Sequence, residues 1–154
     1  MSDEIKEVNF YQIEEAEFGK VFPKLIETIV GSGNRVLIYD KDEKRISDID
    51  NLLWTYAQLA FIPHATYRDG IKEENAVYIT NNIKDNPNCS SFAVLMSNFD
   101  EHEQHGFSKY FYFLDEKSDL DINSTSKELS AKGFNCFIIK KEAGKWAKDA
   151  VKLI

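Results

Sequence analysis

The feature that most constrains the fold is the run Arg35-Val-Leu-Ile-Tyr-Asp40, four apolar residues held between one basic and one acidic residue. A strand with one wet face alternates apolar and polar positions, whereas a strand covered on both faces is apolar throughout. Just before the run, Phe22, Leu25, Ile26, Ile29 and Val30 recur at helical spacing, and Gly31-Ser-Gly33 closes that segment. Helix, tight turn and doubly covered strand together predict a parallel sheet between layers of helix, an α/β fold.

The same alternation continues along the chain. A first strand is expected at Val8-Asn-Phe-Tyr-Gln-Ile13. A second helix is expected to begin between Lys41 and Arg45, with Ile46, Ile49, Leu53 and Tyr56 on its buried stripe. At about 100 degrees per residue, Trp54 falls off the centre of that stripe and onto its rim. A loop around Phe61-Ile-Pro-His64 precedes strands at 76–80, 92–96 and 110–114. Thr125-Ser-Lys-Glu128 has the form of a capping box for a short helix that stops at Gly133, and residues 134–140 make the last expected strand.

Composition narrows the classes. At 154 residues with 43% hydrophobic and 13% aromatic content, residues 1–154 are expected to form a single folded domain. The acidic start Met1-Ser-Asp-Glu lacks the apolar stretch of a secretion signal, and no apolar run approaches the ~18 residues that cross a bilayer. The expected location is therefore cytoplasmic, with no membrane contact. Cys89 and Cys136 belong to no CxxC pair and are expected to be reduced and buried.

The net charge of −7 opposes general binding to a phosphate backbone. Its distribution is uneven: residues 121–154 carry seven lysines and four acids, leaving a basic end on an acidic remainder. That end could receive an acidic peptide or a phosphate strand, although terminal lysines are commonly just solvated surface.

Motifs for chemistry are sparse. Gly31-x-Gly33 follows a helix and precedes a strand, the reverse of the dinucleotide-binding order, so it reads as a helix stop. His102 and His105 in Asp100-Glu-His-Glu-Gln-His105 have metal-ligand chemistry but no third distant partner, and no metal or other cofactor is expected. No G-x-S-x-G elbow is present, and no catalytic residue is assigned. The stronger cluster is Trp54, Tyr56, Phe61, Ile62 and Pro63, rigid apolar groups of the kind that anchor protein interfaces and also fill cores.

Leu53-Trp54, a six-residue spacer and Phe61-Ile-Pro-His64 resemble the hallmark segment of the DNA polymerase III chi subunit family. The Phe-Tyr opening strand, Arg35-Val-Leu-Ile, Val77-Tyr-Ile-Thr80, Gly133-Phe134 and Trp146 agree in order. The resemblance implies a Rossmann-like three-layer domain with a mostly parallel sheet and no bound nucleotide. It also implies a non-catalytic connector that bridges the clamp loader, through its psi subunit, to the acidic tail of single-stranded DNA-binding protein, with DNA contact mostly indirect. Trp54, Phe61, Ile62 and Pro63 match family positions that meet psi.

The tail site is carried over less completely. Alignment on Gly133-Phe134 places Asn123 where Arg is frequent and Ser126 where an aromatic is frequent, while Lys127 stays basic. The implied tail residues are Asn123, Lys127, Lys132 and Trp146, with Lys140 and Lys141 able to contribute. Two other readings stay open: an α/β enzyme centred on His64, and a direct single-stranded DNA binder using the basic end.

Overall fold

The computed structural model describes residues 6–56, 64–67, 75–82, 84, 86–96, 107–114, 121–142 and 145–151. The elements in chain order are β1 (Glu7–Gln12), α1 (Glu15–Gly31), β2 (Val36–Tyr39), α2 (Glu43–Thr55), β3 (His64–Thr66) and β4 (Val77–Thr80). They continue with β5 (Phe92–Leu95), β6 (Lys109–Leu114), α3 (Ile122–Ala131), β7 (Asn135–Glu142) and β8 (Lys145–Ala150). The strands form one eight-stranded sheet in the order β3-β4-β2-β5-β6-β1-β7-β8. Neighbours are parallel throughout except for β7 and β8. The α/β expectation holds.

Alternation along each strand divides the core into two layers. Val36 and Ile38 of β2 lie with Phe22, Ile26 and Ile29 of α1 and with Ile46, Ile49 and Leu53 of α2. Leu37 and Tyr39 lie on the other face with Leu129 of α3, Phe107 and Phe134. The continuous apolar run at 36–39 exists because both faces are covered, and each fully buried Leu or Ile contributes about 1.5–3 kcal/mol. β6 divides its rings in the same way. Tyr112 stacks on Phe10 at 5.3 Å in one layer, and Phe113 stacks on Tyr11 at 4.9 Å in the other.

Both long stops are main-chain motifs. After α1, the amides of Gly33 and Asn34 donate to the carbonyls of Val30 and Ile29 at 2.9 and 3.3 Å, with Gly33 at φ +85°. After α3, Gly133 and Phe134 donate to Ser130 and Leu129 at 3.1 and 3.0 Å, with Gly133 at φ +94°. The left-handed turn that satisfies the last carbonyls requires a residue without Cβ strain, so Gly31-Ser-Gly33 is a helix stop as read.

Four expectations change. Helix α3 begins earlier than the Thr125 capping box: Asp121 is its N-cap, and its carboxylate accepts from the amides of Asn123 and Ser124. Thr125 lies inside the helix, donating its own amide to the Asp121 carbonyl at 3.0 Å. Cys89 is exposed rather than buried. Asn86 pins the turn beneath it by accepting from the Ser90 amide and donating to the Ser90 carbonyl, which leaves Cys89 at the tip with φ +53°. His64 opens a short edge strand, β3, where a loop was expected. β8 is an additional strand, hairpinned onto β7 after the expected end of the sheet.

Candidate functional site

Helix α2 positions the first candidate surface. Asp42 caps it by accepting from the Lys44 amide at 3.0 Å, and Ile46, Ile49 and Leu53 turn inward. The next residue after Leu53 is rotated by about 100 degrees, which places Trp54 on the rim with 52% of its surface exposed. Tyr56 ends the helix half-buried, its amide donating to the Leu52 carbonyl at 3.0 Å. Phe61, Ile62 and Pro63 lie outside the described residues. The chain is described again at His64, whose backbone pairs in register with Val77 at the sheet edge.

Helix α3 carries two of the four residues implied for tail binding, Asn123 and Lys127, and a third, Lys132, is its C-cap. Hydrogen bonds from the Ser124 amide and hydroxyl and from the Asn123 amide, with the Lys127 charge nearby, hold the Asp121 carboxyl below its ordinary range. Ser126 and Leu129 point into the protein, and Ser126 is fully buried, so it adds nothing to an outer pocket. Asn123 is half-buried and Lys127 is exposed. Lys132 reaches back to Glu128, Nζ to Oε1 3.3 Å, so part of its charge is matched on its own helix.

Trp146 does not join this group. It pairs in register with Lys141, and Lys141 Nζ lies 3.5 Å from Glu17 of α1, on the sheet face opposite α3. That face holds an arrangement the sequence did not disclose. Lys141 lies over the Trp146 ring at 6.0 Å, Lys148 over Phe137 at 4.4 Å and Lys109 over Phe92 at 5.5 Å. Glu7 sits between two of these cations, 3.8 Å from Lys109 and 3.6 Å from Lys148. Carboxylates therefore interrupt the lysines here, and among the described residues these cations do not form a continuous track.

The carboxyl edge of the sheet was the place for a nucleotide or an enzymatic pocket. A cleft of about 390 Å³ lies there, lined by Gln12, Ile13, Glu14, Glu17 and Lys141. Glu14 is the N-cap of α1 without a side-chain cap bond, so carboxylates stand where a phosphate needs donors. Asp40, at the end of β2, is wholly buried and occupied by Arg45. Among the described residues no group of three or more His, Cys, Asp or Glu is placed to hold a metal ion. His102 and His105 lie outside them. No helix among the described residues is long and apolar enough to cross a membrane.

The family described as DNA polymerase III chi subunit, HolC, matches residues 5–129. The chain belongs to this family. A curated relative, the "Probable DNA polymerase III subunit chi" of Rickettsia prowazekii (strain Madrid E), is 30% identical over 93 residues. The chain thus spans 56% of that relative, using 60% of its own length. A solved structure, the C-terminal part of the Fun30 ATPase domain, aligns with TM-score 0.45 at 14% identity, covering 77% of this chain and 48% of that one. The match to the chi family contains β1 through β6, the Trp54 rim and most of α3. β7 and β8 lie beyond it.

Proposed function

We propose that this chi-family chain is a non-catalytic connector within the bacterial DNA polymerase III assembly. Its membership in the family supports an accessory role in DNA replication. In this reading the Trp54 rim, together with Phe61, Ile62 and Pro63, docks a psi-like clamp-loader subunit. The outer face of α3, with Asn123, Lys127 and Lys132, receives the acidic tail of single-stranded DNA-binding protein. Trp146 is left out of the tail site because it lies across the sheet from α3.

The observation that carries the reading is the half-exposed indole of Trp54. A tryptophan kept in water at the end of a helix leaves a large apolar area unburied, and such rigid aromatics supply much of the energy of protein interfaces. Binding of the tail to α3 depends more on charge, which steers and orients a partner.

The test is co-purification of tagged wild-type and variant chains with clamp-loader components. Trp54→Ala combined with Phe61→Ala is expected to abolish co-purification, whereas Lys127→Glu is expected to spare it and weaken binding of a peptide with the acidic tail sequence. Retention of the clamp-loader components by the double variant would sink the assignment of that surface.

A further inference from the structure

Strand β8 ends the sheet, and its outer edge carries main-chain groups with no strand beside them among the described residues. The bond from the Val151 amide to the Cys136 carbonyl, 3.0 Å, fixes which groups these are. Hydrogen-bonded and non-hydrogen-bonded pairs alternate along an antiparallel ladder, so Ala147 and Asp149 direct their amides toward β7, while Trp146 and Lys148 direct theirs outward. The strand is solvent-facing along nearly its whole length, and Trp146 is 45% exposed.

The side-chain order on this edge is self-complementary. When two copies of Lys145-Trp-Ala-Lys-Asp149 run antiparallel about a two-fold axis at Ala147, Lys145 of each faces Asp149 of the other, and Trp146 of each faces Lys148 of the other. The sheet faces agree: Lys145 and Asp149 share the α3 side, and Trp146 and Lys148 share the α1 side. The hydrogen-bonding pattern agrees as well, because the outward amides and carbonyls of Trp146 and Lys148 meet as bonded pairs. Ala147, the smallest side chain of the five, falls at the axis, where Cα atoms of a non-bonded pair approach to about 4.5 Å.

Neighbouring registers fail on charge or on contacts. An axis at Lys148 sets that lysine against itself, an axis at Asp149 does the same with a carboxylate, and an axis at Trp146 leaves both lysines without an opposed acid. Lysines on an edge strand ordinarily keep strands apart. Here Asp149 is placed to cancel that protection for one partner alone.

We propose that β8 is an association edge for a second copy of this chain, joined antiparallel with Ala147 at the two-fold axis so that the two sheets become continuous. The contact is narrow, below the roughly 1,200 Å² of stable interfaces, so the dimer is a weak one that forms with rising concentration. The proposal is independent of the Trp54 and α3 assignments, since β8 lies outside the segment matched to the family.

Sedimentation of the full chain over a concentration series is expected to show reversible dimer formation. Lys145→Asp alone and Asp149→Lys alone each set like charges in opposition and are expected to remain monomeric. Both the combined variant K145D/D149K and a mixture of the two single variants restore opposite pairs and are expected to dimerise. In a Cys89→Ser background, Ala147→Cys is expected to form an intermolecular disulfide faster than Lys145→Cys, because only the former meets its own copy at the axis. Circular dichroism of each variant checks that the sheet is intact. A wild-type chain that stays monomeric at the highest concentration overturns the proposal. Single variants that dimerise as well as wild type, or equal cross-linking at the two positions, overturn it too.

Discussion

Arg45 holds Asp40 from the first turn of α2: its Nε donates to Oδ2, and its Nη2 donates to Oδ1 at 3.0 Å, while the Asp42 amide also donates to Oδ1 at 3.0 Å. Asp40 has no exposed surface and Arg45 is partly exposed, so the pair fastens the end of β2 to the start of α2. Arg45→Met leaves a buried carboxylate without its cation and is expected to cost about 2–3 kcal/mol in urea unfolding. Adding Asp40→Asn removes the stranded charge and should return part of that loss. A single variant as stable as wild type would contradict this account.

Two adjacent residues of α2 should separate stability from binding. Leu53 is fully buried and Trp54 is half-exposed. Leu53→Ala is expected to cost about 3 kcal/mol, whereas Trp54→Ala should change stability by no more than about 0.5 kcal/mol. Equilibrium unfolding of both proteins checks that loss of partner binding in the tryptophan variant is not a folding defect.

The start of α3 should depend on Asp121 and only weakly on Thr125. Asp121→Ala is expected to lower Tm by more than Thr125→Ala does. The Asp121 carboxyl is held below its ordinary 3.8, so its contribution is complete above that pH and is lost as pH falls through the lowered folded value. Thermal melts of both variants between neutral and acid pH test this: the Asp121→Ala difference should shrink in acid.

Gly133→Ala tests the stop of α3. A Cβ built at Gly133 meets no atom within 4 Å, so the cost arises from its positive φ alone. The expected loss is about 1 kcal/mol, and Gly133→Asn should lose less, since Asn tolerates the left-handed region better. Unfolding free energies of the two variants give the comparison.

Burial raises the Tyr11 hydroxyl from 10.0 to about 12. A raised folded value favours the neutral form, so its stabilisation is complete below pH 10 and is lost as pH rises toward about 12. Tyr11→Phe keeps the stacked ring against Phe113 and should flatten the fall in unfolding midpoint across that window. An unchanged profile would show that Tyr11 ionises as readily folded as unfolded.

Elements that bury apolar side chains were legible in the sequence. Val36 to Tyr39 announced a doubly covered strand, and Ile46, Ile49 and Leu53 set the inner face of α2 closely enough to place Trp54 on its rim. β8 was not legible, because Lys145-Trp-Ala-Lys-Asp-Ala150 buries almost nothing and is held by main-chain bonds to β7. The N-terminus of α3 was misplaced for a local reason: Thr125 and Glu128 have the right spacing, but Asp121 reaches two free amides first. The separation of Trp146 from α3 depends on strand register, which composition does not encode. Phe61, Ile62 and Pro63, three of the five residues of the rim cluster, were named from the sequence and lie outside the described residues.

The position of β1 has a consequence for how the molecule is made. It is the first strand in the sequence, yet it lies inside the sheet, pairing with residues 109–114 on one side and 135–140 on the other. Its two ladders must therefore close across nearly the whole chain, a long-range pairing that slows folding. During synthesis the opening Phe-Tyr segment emerges long before either neighbour, and until both arrive it is an unpaired aromatic strand in need of shelter.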